Sequence, residues 1–237
     1  MKWGDKYPAR YVNILHAMVR RHLRLPHRFV CFTDDAEGLD PGIEHRPLPP
    51  VRLPGGPERG WRKLGVFAKR LADLEGTALF LDLDVVLLDS MDALFELAPG
   101  EFHIIRDWQH RGRITGNSSV FRFEVGAHAD VLAAFEHDAA GVRRRFRNEQ
   151  AFLSQALHER GRLRYWPDEW CRSFKRHCVP QGPLAWVRAP RPPAEAKIIV
   201  FHGRPNPPEA ARGQSGKPLR FWRAAPWIET HWRLDEA

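Results

Sequence analysis

Cysteine is scarce in this 237-residue chain, which has three: Cys31, Cys171 and Cys178. An odd number with no zinc-ligand spacing excludes a disulfide framework and a structural zinc site, and fits a reducing compartment. A long apolar run is also lacking. The longest greasy stretch, residues 78–88, is interrupted by Asp82 and Asp84, well short of the roughly 20 residues a membrane helix needs. The opening MKWGDKYPARYVN has no apolar h-region. The expectation is a soluble, non-exported, cytoplasmic protein. Internal repeats, low-complexity tracts and long linkers are missing too, so one domain is expected over 1–237, with a core to about residue 207 and an extension over 208–237 packed on it.

What is present can build a core: 43% of the chain is hydrophobic, with 9 Trp and 14 Phe. The net charge is +8, which favours an anionic partner, whether nucleotide, phosphorylated glycan, membrane surface or nucleic acid. Much of the excess is arginine, as in the cluster at 143–147, where a solvated helix face explains the charge as well as a binding patch does.

Hydrophobic spacing predicts a helix over Tyr11 to Leu23, a strand over Arg28 to Thr33 and a helix over Trp61 to Leu74, with an irregular Pro- and Gly-rich span from Pro41 to Gly60 between the last two. Ala78 to Leu81, four apolar residues in a row, predicts a strand needing cover on both faces. A short helix over Met91 to Leu97 follows, then strands over His103 to Arg106 and Ser118 to Phe123. Helices over His128 to His137 and Asn148 to Glu159 precede a strand over Lys197 to Phe201 and a loop-like tail pinned by Trp222, Trp227 and Trp232. The alternation implies an α/β fold, a mixed sheet flanked by helices.

Asp82 and Asp84 stand at the carboxyl end of the apolar strand, where ligands bind in open α/β sheets. In extended backbone both carboxylates leave one face and Leu83 the other, so the pair can share one hard cation, Mg2+ or Mn2+, able to bridge a diphosphate. A salt-bridged pair at a strand end is the alternative. His202, directly after the Lys197 to Phe201 strand, can bring an imidazole to the same sheet edge, and Arg204 in the turn beyond suits phosphate.

In this order the segments resemble the retaining glycosyltransferases of the glycogenin and bacterial lipopolysaccharide galactosyltransferase type, which have the nucleotide-diphospho-sugar transferase (GT-A) fold. WGDKY at residues 3–7 is similar to the family's opening loop, and Trp61-Arg62-Lys63-Leu64 to the segment whose lysine helps bind the donor. FLDLDVVLLDSMDALFE at 80–96 resembles the metal-binding strand and its following turn. GNSSVF at 116–121 resembles the segment whose asparagine meets the donor sugar, NEQAFL at 148–153 the Asp-Gln helix start, with Glu149 for aspartate, and VFHGR at 200–204 the segment bearing the metal-binding histidine. In two respects the chain departs from the family. No strand has room before Trp3, and Asn206-Pro207 stands where the family has Lys-Pro, leaving Arg204 or Lys217 to supply a phosphate contact.

The resemblance implies a mixed, mainly parallel sheet and transfer of a hexose from a nucleotide diphosphate sugar, a UDP-sugar first among them, to a glycan, lipid-linked or protein acceptor with retention. It implies a metal on Asp82, Asp84 and His202, and a donor site of Lys63, Asp82, Leu83, Asn117 and Arg204. Glu149 would position sugar hydroxyls, and Gln150 would lie beneath the anomeric carbon. Exposed lysine, turn asparagine and helix-start glutamate also have ordinary local explanations. Asp107-Trp108 and WPDEW at 166–170 are candidate acceptor surfaces, or core aromatics. Two other functions compete. FLDLDVV also resembles the nucleophile strand of haloacid dehalogenase-type phosphatases, and the arginine clusters allow a non-catalytic polyanion or nucleic-acid binder; the same basic surface allows a peripheral contact with an anionic membrane. No recognisable nucleic-acid module is present, so nucleic acid is not an expected partner.

Overall fold

The computed structural model describes residues 1–108, 112–216 and 221–235. In chain order, α1 (Ala9–His22) leads into β1 (Val30–Phe32) and β2 (Glu44–Arg46), and a 3-10 segment (Trp61–Phe67) precedes β3 (Thr77–Leu81), β4 (Val85–Leu87), α2 (Asp92–Glu96), β5 (His103–Arg106) and β6 (Gly116–Glu124). Then come α3 (Ala129–His137), α4 (Ala139–Arg145), α5 (Glu149–Glu159), β7 (Arg164–Tyr165), β8 (Cys171–Ser173), a π-type turn (Phe174–Cys178), α6 (Leu184–Val187), β9 (Ile198–Val200), α7 (Pro207–Ala211) and α8 (Trp227–His231).

The strands form three ladders: β1-β2, β3-β6-β5-β7 and β4-β9-β8. Three of the described pairings are parallel and three antiparallel, an even mixture where a mainly parallel sheet is expected. Two of the reversals come from the long β6, which runs against both β3 and β5, and the third from β4 against β9.

The expected α1 forms because Val12, Leu15 and Val19 bury one stripe, and Arg20, Arg21 and His22 complement the dipole at its last turn. β3 lies between two apolar clusters. Phe80 packs with Trp61, Phe67 and Phe121, whereas Leu79 and Leu81 face the cluster of α1, β4 and β9. Arg122, on β6, is buried and holds the end of α2: its guanidinium donates to the carbonyls of Leu94 (2.7 Å), Phe95 (3.2 Å), Ala98 (2.6 Å) and Glu101 (3.0 Å).

Three expectations are corrected. Trp61 to Leu74 is not one α-helix: the 3-10 turns stop at Phe67, Ala68 is extended and Ala72 has φ 50°. The tighter winding still buries Trp61, Leu64 and Phe67. The Pro41 to Gly60 span contains β2, which pairs in parallel with β1. The tail contains α7 and α8. Asn206 and Glu209 cap α7 reciprocally and its prolines occupy the first turn, where no N–H is needed. Of the tail tryptophans, Trp222 and Trp227 lie against Phe174 and Trp232 against Tyr11.

Candidate active site

The site is assembled where β3 ends. Asp82 follows β3 directly, and its N–H donates to the Ser119 carbonyl at 2.8 Å, tying it to β6. Leu83 and Asp84 form a turn rather than extended backbone, so the two carboxylates are not projected by strand alternation. Burial of Leu83 anchors the turn, and Asp84 is itself buried. The Tyr7 hydroxyl donates to Asp84 Oδ2 at 2.6 Å.

Lys63, carried by the 3-10 segment, lies 2.6 Å from Asp82 Oδ1 and 2.9 Å from Oδ2. It also donates to the Ser118 carbonyl at 3.3 Å. The Ser118 hydroxyl donates to Glu149, at the first turn of α5, and the Ser118 N–H donates to Gln150 Oε1 at 3.4 Å. Asn148 caps this helix, accepting from the Ala151 N–H at 3.2 Å. Lys63, Asp82, Ser118, Glu149 and Gln150 therefore make one connected network. Gly60 makes room for it, at φ 84° with a position for Cβ only 2.6 Å from Glu149 Oε2.

Electrostatics follow from burial and neighbours. The Asp84 carboxyl is pushed up to about 6, first by burial and then by the charge of Asp82, against the opposing Tyr7 hydrogen bond. Burial raises Glu149, with Lys63 and Ser118 opposing. Burial works against the Lys63 ammonium, but Asp82 and Glu149 more than offset it and its pKa is raised.

His202 is brought near through backbone: the Phe201 N–H donates to the Asp84 carbonyl at 3.2 Å, at the end of the β4–β9 ladder. Its ring turns elsewhere, with Nε2 2.7 Å from Ser173 Oγ and a stacked contact on Trp108 at 5.7 Å. Burial, then Lys175, pushes its imidazole down to about 4. Among the described residues no three His, Cys, Asp or Glu side chains converge as a ligand set. The carboxylate pair fits a hard divalent cation in donor chemistry, since the charge of Asp82 holds Asp84 towards its neutral form and a cation would oppose that effect. The histidine does not reach the pair in this conformation.

The other candidates are placed as follows. Asn117 is buried and accepts from the Ser119 N–H at 3.1 Å, so its amide is engaged with its own strand. The Arg204 side chain is 66% exposed, with Nε 3.8 Å from Glu209. Lys217 lies outside the described residues. Trp166 is core, stacked on His103 and Trp170, whereas Trp108 stands beside His202. Residues not singled out from sequence are Tyr7, Ser118, Ser173, Gly60 and Lys175, whose ammonium donates to the carbonyls of His202 and Arg204. Tyr7 and Ser118 lie within the quoted segments 3–7 and 116–121 and Gly60 directly precedes the Trp61 segment, whereas Ser173 and Lys175 left no local signal.

No family model matches the chain, and no curated protein matches it in sequence. Solved structures do match. The galactosyltransferase LgtC in complex with donor and acceptor sugar analogues superposes with a TM-score of 0.58 at 13% identity, covering 86% of this chain and 87% of that one. An active-site glutamine-to-glutamate mutant of LgtC gives 0.58 at 14% identity with the same coverage. The glycosyltransferase GlyE of Streptococcus pneumoniae TIGR4 gives 0.56 at 14% identity, covering 86% of this chain and 55% of that one. The chain thus has the fold of these glycosyltransferases, a mixed α/β architecture with sheets flanked by helices.

Proposed function

We propose that this protein is a glycosyltransferase that moves a hexose from a nucleotide diphosphate sugar, a UDP-sugar in the first instance, to a glycan, lipid-linked or protein acceptor, with retention of configuration. The observation that carries this reading is the carboxylate pair Asp82 and Asp84 at the end of β3, with Asp82 linked through Lys63 and Ser118 to Glu149 and Gln150, in a fold shared with an enzyme crystallised with donor and acceptor sugar analogues.

In this reading Asp82 and Asp84 would hold Mn2+ or Mg2+, and His202 would serve as third ligand if its ring left Ser173. The cation would neutralise charge on the departing diphosphate. Lys63 exchanges part of its contact with Asp82 for a phosphate oxygen, and Arg204, exposed beside the same loop, meets the outer phosphate. The Leu83 backbone and Asn117 border the donor. Glu149, held by Ser118 and Gly60, orients a sugar hydroxyl, and Gln150 presents its side chain beneath the anomeric carbon. The LgtC mutant places a glutamine in that enzyme's active site, which supports Gln150 here.

We read residues 1–207 as the catalytic core and 208–237 as an extension, whose described residues contact the core through Trp222 and the Arg21–Asp235 ion pair at 2.5 Å. No helix among the described residues is long and apolar enough to cross a membrane. A cytoplasmic site of action, with the basic surface resting on anionic lipid, accords with the charge of +8.

Calorimetric titration of UDP with and without Mn2+, on the wild type and on an Asp82→Ala, Asp84→Ala double variant, tests the reading. Metal-dependent binding lost in the variant is expected. Binding indifferent to metal and to both carboxylates, but steeply salt-dependent, would instead establish the polyanion binder.

A further inference from the structure

The C-terminal extension reaches the candidate site through a row of aromatic rings. Arg21, near the end of α1, donates to the carbonyls of His231 at 2.6 Å and Arg233 at 3.2 Å, and pairs with Asp235. Its fork therefore grips the backbone on either side of residue 232. Held there, the Trp232 ring meets Tyr11 edge-on at 5.0 Å between centroids, and Tyr11 meets Tyr7 at 4.9 Å. The Tyr7 hydroxyl ends the row on Asp84 Oδ2.

Side-chain contacts set the direction of the two end rings. The Trp232 indole N–H is buried with no hydrogen-bond partner among the described residues, although a buried indole ordinarily finds one. The ring is thus kept in place by its fit against Tyr11 and not by its polar edge. Tyr7, in turn, lies in the bend that precedes α1, outside any helix or strand, so no backbone ladder fixes it. The neighbours of its ring are Tyr11 and the Lys6 ammonium, 4.4 Å from the ring centroid.

A carboxylate that is to hold a cation needs its free oxygen aimed, and a hydrogen bond to the other oxygen aims it. The Tyr7 hydroxyl does this only while its ring keeps its angle. We propose that Trp232 is a positioning residue for the Asp82 and Asp84 site: through Tyr11 it sets the Tyr7 ring, and thereby the oxygen that Asp84 presents to a divalent cation. The proposal rests on the metal role given to Asp84 above, and it gives the C-terminal extension a part in donor binding.

The chain has three tyrosines, so labelling with 3-fluorotyrosine gives three fluorine resonances, assigned with Tyr7→Phe and Tyr11→Phe. Tyr165, under Arg106 on β7, is the internal control. Trp232→Ala is expected to move or broaden the Tyr7 resonance as well as that of Tyr11, and to weaken Mn2+-dependent UDP binding about three- to tenfold in calorimetry. Trp232→Phe should keep most of both. In a Tyr7→Phe background, where the hydroxyl is already gone, Trp232→Ala should cost less than about twofold more. An unmoved Tyr7 resonance overturns the proposal, and so does an equal loss of affinity in both backgrounds. Trp232→Leu, which keeps bulk without a flat ring, is held to the same outcomes if the alanine variant does not fold. A wild type with no metal-dependent UDP binding removes the transferase reading and the metal role together, whereas an unmoved Tyr7 resonance with that binding intact removes only the part given to Trp232.

Discussion

Gly60 and Glu149 are fitted to each other: a Cβ on Gly60 would stand 2.6 Å from Glu149 Oε2, and Gly60 sits at φ 84°. Space and backbone conformation impose the same choice of residue. Gly60→Ala should therefore lose about 1–3 kcal/mol of stability in urea denaturation and weaken donor binding through the displaced carboxylate. An unchanged midpoint would show that Glu149 is not held against this turn.

Lys63 is the cation between two acids, Asp82 and Glu149. Lys63→Met keeps the length and removes the charge, so Asp82 loses its direct ion-pair partner while it stands beside Asp84. UDP affinity should fall about tenfold, and stability at neutral pH by about 1–3 kcal/mol, less than for a fully buried pair because Asp82 is 23% exposed. Calorimetry and chemical denaturation read the two effects separately, and retention of both values would remove Lys63 from the site.

Features fixed by near neighbours in the chain were readable beforehand. The stripe of α1, the Asn148 cap of α5, and the apolar run that becomes β3 with Asp82 at its end are all local. What escaped was set by contacts far along the chain. Tyr7 meets Asp84 across 77 residues and Lys63 meets Ser118 across 55, and no spacing rule reports such pairs. The 61–74 region kept its apolar positions, so periodicity suggested an α-helix, but the chain winds into 3-10 turns and straightens at Ala68. In α7 the prolines of a first helical turn read as loop, although Asn206 and Glu209 carried the capping signal.

Asp84 makes stability fall as pH rises across the weakly acidic range in the absence of metal. Its folded value, about 6, is above the ordinary carboxylate value near 3.9. Its contribution is therefore full below the ordinary value and is lost as pH rises through about 6, by about 2–3 kcal/mol. Asp84→Asn, which can still accept from Tyr7, should melt higher than the wild type at pH 8 and equally at pH 4, while metal-dependent UDP binding disappears. A variant melting lower at pH 8 would contradict the sign.

Histidines act in the opposite direction. Burial lowers His103 and His128, and His128 Nδ1 is buried without a hydrogen-bond partner among the described residues. Their contribution is full above the ordinary value near 6.5 and is lost as pH falls towards their folded values. In the Asp84→Asn background, where that carboxyl no longer titrates, thermal midpoints should drop between pH 7.5 and pH 5, and His128→Phe, packed between Phe67 and Phe102, should reduce the drop. An identical pH profile for the variant would count against it.

Arg122 shows how little a residue's type says about its place. It is fully buried, and its fork serves four carbonyls between Leu94 and Glu101 at the same time. A lysine offers its donors from a single point and cannot span them. Exchange of one basic residue for another, which most of this protein's cationic surface would tolerate, would here leave carbonyls stranded in the interior. Position 122 is a joint between helix end and sheet, made of charge but used for its shape.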